Sequence, residues 1–118
     1  MRKIKFRAKS LHTGDWHYGD LVQPSDNAVF IQERGTAGFL SDPETVGQFT
    51  GLHDKDGREI YEGDVCIIKE TAVQGTIDYI DGGFTFKSFG GLRWGWDYCL
   101  RNGLTVLHSL YDNKIGND

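Results

Sequence analysis

Apolar and polar residues alternate in several short segments of this chain, and such alternation is typical of half-buried β-strands. The clearest case is the segment 3–9, in which three apolar residues alternate with four cations, Lys3, Lys5, Arg7 and Lys9. Similar short runs, separated by Gly, Asp and Asn residues, follow at 15–22, 28–32, 65–68, 75–80, 84–87 and 104–110. Runs of this length with turn residues between them predict an all-β or mainly β protein.

The residues between these runs predict how the strands connect. Residues 2–9 and 15–22 are expected to form a hairpin, and Asp81-Gly82-Gly83 is a strong hairpin signal between the next pair of alternating runs. One helical turn is predicted at Ser41–Glu44, with Ser41 as its cap and Pro43 at the first helical position. A second short helical turn is expected at Trp96–Leu100.

The central stretch, residues 45–64, is predicted to be a strand, a turn at Asp54–Gly57, a second short strand, and a further turn at Gly63-Asp64. We interpret its aspartates and glycines as residues that shape the backbone rather than perform chemistry. The glycines at 47, 51, 57 and 63 are therefore expected to resist substitution for backbone reasons.

The same stretch carries a family resemblance. The segments Asp42–Leu52, Asp54–Gly57 and Ile60–Val65 together resemble the core signature of the YopX family of phage and prophage proteins. The opening Arg2–Ala8 also resembles the start of that family, and the closing Val106–Asn113 resembles its final strand less closely. The resemblance implies a small phage- or prophage-encoded protein of uncharacterised role, and it brings no established reaction with it.

Length and glycine content refine the expected architecture. A chain of 118 residues is expected to form one domain, residues 1–118, with an N-terminal β lobe at 1–50 and a barrel-like lobe at 51–118. Sixteen glycines against two prolines favour many turns between short strands. We therefore expect an N-terminal β meander packed on a C-terminal SH3-like small barrel, joined by residues 45–64, with one or two short helical turns.

The chain contains no apolar run long enough for a bilayer span, and no apolar signal core follows the first residues. Its two cysteines, Cys66 and Cys99, are too few for a disulfide framework, so they are expected to be reduced thiols. These features predict a cytoplasmic protein without a membrane partner.

Charge is spread unevenly along the chain. The formal net charge is −4, yet residues 1–9 hold five bases and no acid, while the rest holds eight bases and seventeen acids. An acidic body repels a phosphate backbone, so general affinity for nucleic acid is not expected. The exception is the basic strand, where Lys3, Lys5, Arg7 and Lys9 either contact nucleic acid or an acidic partner, or simply form a solvated face. We favour the solvated face, because no aromatic residue interleaves with the cations.

A second candidate surface is the aromatic group formed by Arg93, Trp94, Trp96 and Tyr98. In an extended segment, the period-two spacing would put the three aromatic residues on one face. Exposed residues of these types are enriched at protein interfaces, whereas buried ones would close the core of a small barrel. We expect one or two of them in the core and the remainder in a subunit interface, which makes a homo-oligomer plausible.

Known chemical motifs do not fit the sequence. An EF-hand loop with Gly57 at its sixth position would place Leu52 and Gly63 where acidic calcium ligands are required. The histidines and cysteines lack metal-ligand spacing, and no nucleophile elbow or phosphate-binding loop is present. No catalytic, metal or cofactor-binding residue is therefore predicted.

The sequence thus favours a non-catalytic module that associates with itself or with a protein partner. The alternative is a nucleic-acid-binding accessory protein that uses the basic N-terminal strand. An enzyme with a site at a subunit junction is the weakest interpretation.

Overall fold

The computed structural model describes residues 3–113. Of these, 54% lie in strands and 8% in helices, and the strands form antiparallel sheets, so the predicted mainly β fold is confirmed. The chain divides into two compact units, of which the first ends at Phe49 and the second runs from Thr50 to Asp112. The packing of one lobe on another within a single domain stays a prediction.

The first unit is a sheet with the strand order β4-β3-β2-β1-β5. Its strands, in chain order, are β1 (Phe6–Lys9), β2 (Trp16–Ser25), β3 (Ala28–Gln32), β4 (Phe39–Ser41) and the beginning of β5 (Gly47–His53). In the first hairpin Phe6 pairs with Gly19 and Lys9 with Trp16, which confirms the predicted β1–β2 pairing. Because β1 also pairs with β5, it is an inner strand of the sheet.

One face of this sheet carries the apolar core of the first unit. Ala8, Val29 and Ile31 are buried, and the strand register places all three on the same side of the sheet. On that side the ring of His17 stacks on the ring of Phe39, with the centroids 3.7 Å apart. The opposite side therefore holds the alternate residues of β1 and β2, including the cations of β1.

A 3₁₀ turn, Pro43–Thr45, connects β4 to β5. Its cap is Asp42, whose Oδ1 accepts a hydrogen bond from the backbone N–H of Glu44 at 3.1 Å. The predicted cap, Ser41, is wrong by one residue, because the Ser41 hydroxyl donates instead to the carbonyl of Phe39. Pro43 begins the turn as predicted.

The second unit contains the end of β5, which is followed by β6 (Glu59–Tyr61), and a five-stranded sheet with the order β10-β9-β8-β7-β11. The elements of that sheet are β7 (Asp64–Ile68), β8 (Val73–Ile80), β9 (Gly83–Ser88), β10 (Arg93–Trp94), α1 (Trp96–Arg101) and β11 (Leu104–Ser109). The predicted helical turn near Trp96–Leu100 is thus confirmed as α1. Closure of the sheet into an SH3-like barrel stays a prediction.

The turn between β8 and β9 shows why the sequence predicted this hairpin well. Asp81 and Gly82 have φ values of 52° and 82°, and Ile80 pairs directly with Gly83. Two consecutive residues with positive φ are the requirement of the tight type I′ turn, which Asp-Gly satisfies at low cost. The two strands then bury Ile77 and Phe86 in the apolar core of the second unit.

The other core members of the second unit come from β6, β7, α1 and β11, and they are Ile60, Cys66, Ile68, Cys99, Leu104 and Val106. As for the membrane, α1 is the longest helix of residues 3–113, and it falls far short of a bilayer span.

Candidate functional site

The cations of β1 lie against aromatic rings contributed by neighbouring strands. The register pairs Lys9 with Trp16 and Arg7 with Tyr18, so these four side chains share one side of the sheet. The Arg7 guanidinium carbon lies 4.5 Å from the centroid of the Trp16 ring, and the Lys9 Nζ lies 5.7 Å from it. Cations at such distances are attracted to the negative face of the ring.

Burial separates these cations into two groups. Arg7 and Lys9 are only 7% and 4% exposed, whereas Lys3 is exposed and Lys5 is partly exposed. The predicted solvated face is therefore wrong for Arg7 and Lys9, whose stems and charges lie among other side chains. Contact of these four cations with nucleic acid or a partner stays a prediction.

The sequence interpretation missed Trp16 because it looked for aromatic residues within β1 itself. The signal was nevertheless present, since the predicted hairpin already paired the two segments. Its register, with Lys9 opposite Trp16, would have placed the indole beside the cations. A second ring comes from β5, where Phe49 lies 5.4 Å from the Nζ of Lys5.

An open cleft of about 560 Å³ lies at the end of this row of cations. Three short segments line it, namely Lys3–Lys5, Tyr18–Asp20 and Gln32–Gly35. Gly19 brings the second and third segments together, since a Cβ on this residue would lie 2.2 Å from the carbonyl oxygen of Gln32. The cleft combines three cations, Lys3, Lys5 and Arg34, with the acids Asp20 and Glu33.

The second candidate surface lies in the second unit. Arg93 and Trp94 form β10, whereas Trp96 and Tyr98 belong to α1, so the segment is not extended throughout and the single face that an extended segment would give does not form. Gly95 is the N-cap of α1 and changes the chain direction between them. Trp94 and Trp96 are partly buried and pack against the core cluster.

Trp94 and Tyr98 meet edge to face, with ring centroids 5.3 Å apart, and with Gly95 they line a shallow groove of about 400 Å³. Phe89 and Leu92, in the loop before β10, are 63% and 66% exposed. We call Phe89, Leu92, Trp94 and Tyr98 the β10 surface. Arg93 stands apart from it, because its guanidinium bonds Asp78 at 3.3 Å and the Thr85 hydroxyl at 3.0 Å.

The carboxylate of Asp54 occupies a third notable position. Its Oδ1 accepts the backbone N–H groups of Asp56 and Arg58, both at 2.9 Å, and its Oδ2 accepts the N–H of Val106 at 3.0 Å. Burial alone would raise the pKa of Asp54, but the hydrogen bonds from Val106, Arg58 and Asp56 outweigh it and hold the pKa below its ordinary value.

Arg58 completes this arrangement by donating to the carbonyl oxygen of Val106 at 2.6 Å. Val106 lies where the β7–β11 register shifts, and β11 is the last strand in the order of its sheet. Asp54 and Arg58 therefore satisfy the backbone of an edge strand at an irregular position, which is a structural role.

Comparison with protein families decides the affiliation of this chain. The model of the family described as YopX protein matches residues 5–117, nearly the whole chain. This chain belongs to the YopX family. The resemblance seen in the sequence is thereby confirmed. No curated protein sequence matches the chain.

In this YopX-family protein, three aspartates of the signature segments accept hydrogen bonds from the backbone. Asp42 caps the 3₁₀ turn, Asp54 binds three N–H groups, and the Oδ2 of Asp64 accepts the N–H of Tyr61 at 2.8 Å. Between Tyr61 and Asp64, Gly63 adopts a φ of 90°, which a residue with a Cβ rarely adopts. Gly51 and Gly57 also have positive φ, whereas Gly47 does not.

The two thiols of the YopX-family chain form no disulfide, and both are buried in the core of the second unit. Burial raises the pKa of Cys99 to about 11, which keeps this thiol neutral and poorly nucleophilic near neutral pH. Within residues 3–113, His, Cys, Asp and Glu side chains form no group of three or more that could hold a metal ion.

Proposed function

We propose that this YopX-family protein is a non-catalytic interaction module, of phage or prophage origin and cytoplasmic location, that associates with a second copy of itself through the β10 surface. The observation that carries the proposal is the exposure of large apolar side chains beside a groove. Phe89 and Leu92 are more than half exposed, and they precede Trp94 of the groove by five and two residues. Apolar patches of this kind are typical of protein contact sites.

A second copy suits this surface because it combines an exposed apolar side chain with a groove. Leu92 immediately precedes β10, and the groove is lined by residues of β10 and α1. A two-fold axis brings the same patch of both copies together, so each Leu92 could enter the groove of the other copy. β10 is also the first strand in its sheet order, which leaves an edge beside the groove.

The proposal that the protein is non-catalytic rests on the structural roles of its aspartate and cysteine side chains. Asp42, Asp54 and Asp64 of the family signature accept backbone hydrogen bonds, and the Cys99 thiol is held neutral in the core. Two cysteines that form no disulfide also suit a reducing compartment. A protein partner other than a second copy would use the same β10 surface.

Light scattering after size-exclusion chromatography, at several protein concentrations, tests the proposal. We expect a concentration-dependent dimer, and we expect Leu92→Asp to weaken it by about tenfold or more, since an interface anchor contributes roughly 1–2 kcal/mol. Leu110→Asp is the matched control, because Leu110 is similarly exposed in the same unit but lies outside the β10 surface. A monomer at every concentration, or equal weakening by the control, would contradict the proposal.

The nucleic-acid alternative receives less support as a general function. It relied on four cations along one accessible strip, and Arg7 and Lys9 are buried. The overall acidity of the chain also opposes broad binding to phosphate backbones.

A further inference from the structure

We infer that the cleft bounded by Lys3–Lys5, Tyr18–Asp20 and Gln32–Gly35 binds a nucleoside phosphate, either free or at the end of a single-stranded nucleic acid. This site lies in the first unit and is independent of the proposed function, which rests on the β10 surface in the second unit. Its volume of about 560 Å³ falls within the range usual for small-ligand sites.

Strand register places the side chains that could contact such a ligand on one side of the sheet. Arg7 pairs with Tyr18, and Asp20 pairs with Gln32. Because side chains alternate along a strand, Tyr18, Asp20 and Gln32 project to the same side as Lys5, two residues before Arg7. The cleft therefore combines an aromatic ring, an amide, a carboxylate and a cation on a single wall.

The Tyr18 side chain is the feature of the cleft that favours a ligand with a nucleobase. The residue is 40% exposed and lines the cleft, so its ring can be reached by a ligand. Unstacked bases bind to proteins by stacking on aromatic rings, a mode that needs a cation nearby for the phosphate. Asp20 adds carboxylate acceptors, and Gln32 adds an amide oxygen that can accept while its Nε2 donates to the Thr36 carbonyl at 3.3 Å; both suit a base edge or a sugar hydroxyl.

The charge balance of the cleft favours the phosphate. Five lining residues are charged, but the Glu33 carboxylate bonds the Nδ1 of His17 at 2.9 Å. His17 pairs with Ala8, so it lies on the side of the sheet opposite Tyr18. With Glu33 turned toward His17 and the Nζ of Lys5 over the Phe49 ring, the remaining charged lining residues are the cations Lys3 and Arg34 and the acid Asp20. The resulting positive excess attracts an anion.

Titration calorimetry at low salt tests this inference with four probes, namely inorganic phosphate, the nucleoside 5′-monophosphates, a 5′-phosphorylated single-stranded oligothymidylate and its duplex. We expect at least one nucleoside monophosphate or the single strand to bind more tightly than inorganic phosphate and more tightly than the duplex. The affinity should fall as salt is raised. Tighter binding of the single strand identifies a strand end as the source, and tighter binding of a mononucleotide identifies a free nucleotide.

Variants locate the site and separate its two recognition elements. Tyr18→Ala should lower the affinity about tenfold, whereas Tyr18→Phe should preserve it, because stacking needs the ring and not the hydroxyl. The double variant Lys3→Glu with Arg34→Glu should also lower the affinity about tenfold or more. The matched control, Lys69→Glu with Lys87→Glu, makes the same charge change at exposed residues of the second unit and should leave the affinity within about twofold.

Thermal unfolding of each variant shows that it remains folded before binding is measured. The inference is overturned if no probe binds the unmodified protein, or if inorganic phosphate binds as tightly as every nucleotide. It is equally overturned if the folded Tyr18→Ala and Lys3→Glu, Arg34→Glu variants bind as well as the control. If the Leu92→Asp variant no longer dimerises but still binds nucleotide, the β10 surface and the cleft of the first unit act independently.

Discussion

Two regions of this protein bury charge, and they do so in different ways. In the first unit Arg7 and Lys9 lie against the Trp16 ring, so each positive charge contacts an aromatic side chain. In the second unit Asp54 is 6% exposed, and its carboxylate accepts hydrogen bonds from three backbone N–H groups. The ring interaction is broad in geometry, whereas the hydrogen bonds specify the path of the backbone.

The difference decides what each charge can stabilise. A buried charge is costly unless hydrogen bonds or an opposite charge offset its loss of water. The bonds to Asp54 join the turn after β5 to β11, which are 52 residues apart along the chain. The contact between Arg7 and Trp16 joins neighbouring strands that backbone pairing already holds together. Loss of the Asp54 carboxylate should therefore cost more stability than loss of the Trp16 ring interaction.

The largest effect is expected from Asp54→Ala. This change removes the acceptor of three N–H groups, of which that of Val106 is buried, so the free energy of unfolding should fall by about 3 kcal/mol. Asp56→Ala is the matched control in the same turn, because Asp56 is exposed; it should change stability by less than about 0.5 kcal/mol. Urea denaturation measures both, and equal losses would show that the Asp54 hydrogen bonds contribute nothing specific.

A smaller effect, graded with pH, follows from the lowered pKa of Asp54. The folded protein holds this pKa below its ordinary value of 3.8, so the unfolded chain takes up a proton first as the pH falls. The stabilisation is complete above that ordinary value and is lost as the pH falls toward the lower folded pKa. Below pH 3.8 the unmodified protein should thus lose stability more steeply than Asp54→Asn. Parallel denaturation curves for the two proteins would contradict this assignment.

Much of the fold followed from the sequence because local signals agreed with tertiary packing. Alternation predicted the β1–β2 hairpin, the Asp81-Gly82 pair predicted the turn between β8 and β9, and α1 formed where a helical turn was expected. The cap at Ser41 was wrong by one residue since Ser, Asp and Asn all serve as caps. The spacing of residues alone could not distinguish Ser41 from Asp42 as the cap of this turn.

The candidate sites were less predictable because they depend on neighbours that are distant in sequence. Alternation correctly put the β1 cations on one side of the strand, but their burial depends on the rings of β2 and β5. Two of the three segments that line the cleft approach each other closely at Gly19 and the Gln32 carbonyl, which no local pattern signals. In the second unit, Gly95 interrupts the period-two pattern of the aromatic residues and starts α1.

The smallest effect expected is the coupling between cation and ring in the first unit, and it can be measured with double-mutant cycles. The cycle of Arg7→Met with Trp16→Leu should give a coupling of about 1–2 kcal/mol, because the guanidinium is buried and lies 4.5 Å from the ring centroid. The cycle of Lys5→Met with Phe49→Leu is the matched comparison within the same sheet. It should give about 0.5 kcal/mol, since Lys5 is less buried and its Nζ lies 5.4 Å from a less electron-rich ring.

Both cycles use urea denaturation at the same pH, so that the difference reports burial, distance and the type of ring. Met keeps most of the apolar stem of Arg or Lys and removes the charge, and Leu keeps part of the apolar volume of the ring, which limits the cavity contribution to each cycle. If the two couplings are equal, burial does not strengthen the Arg7–Trp16 contact. If the Arg7–Trp16 coupling instead exceeds the loss caused by Asp54→Ala, then side-chain contacts anchor this protein more strongly than backbone hydrogen bonds, and the contrast between its two regions is reversed.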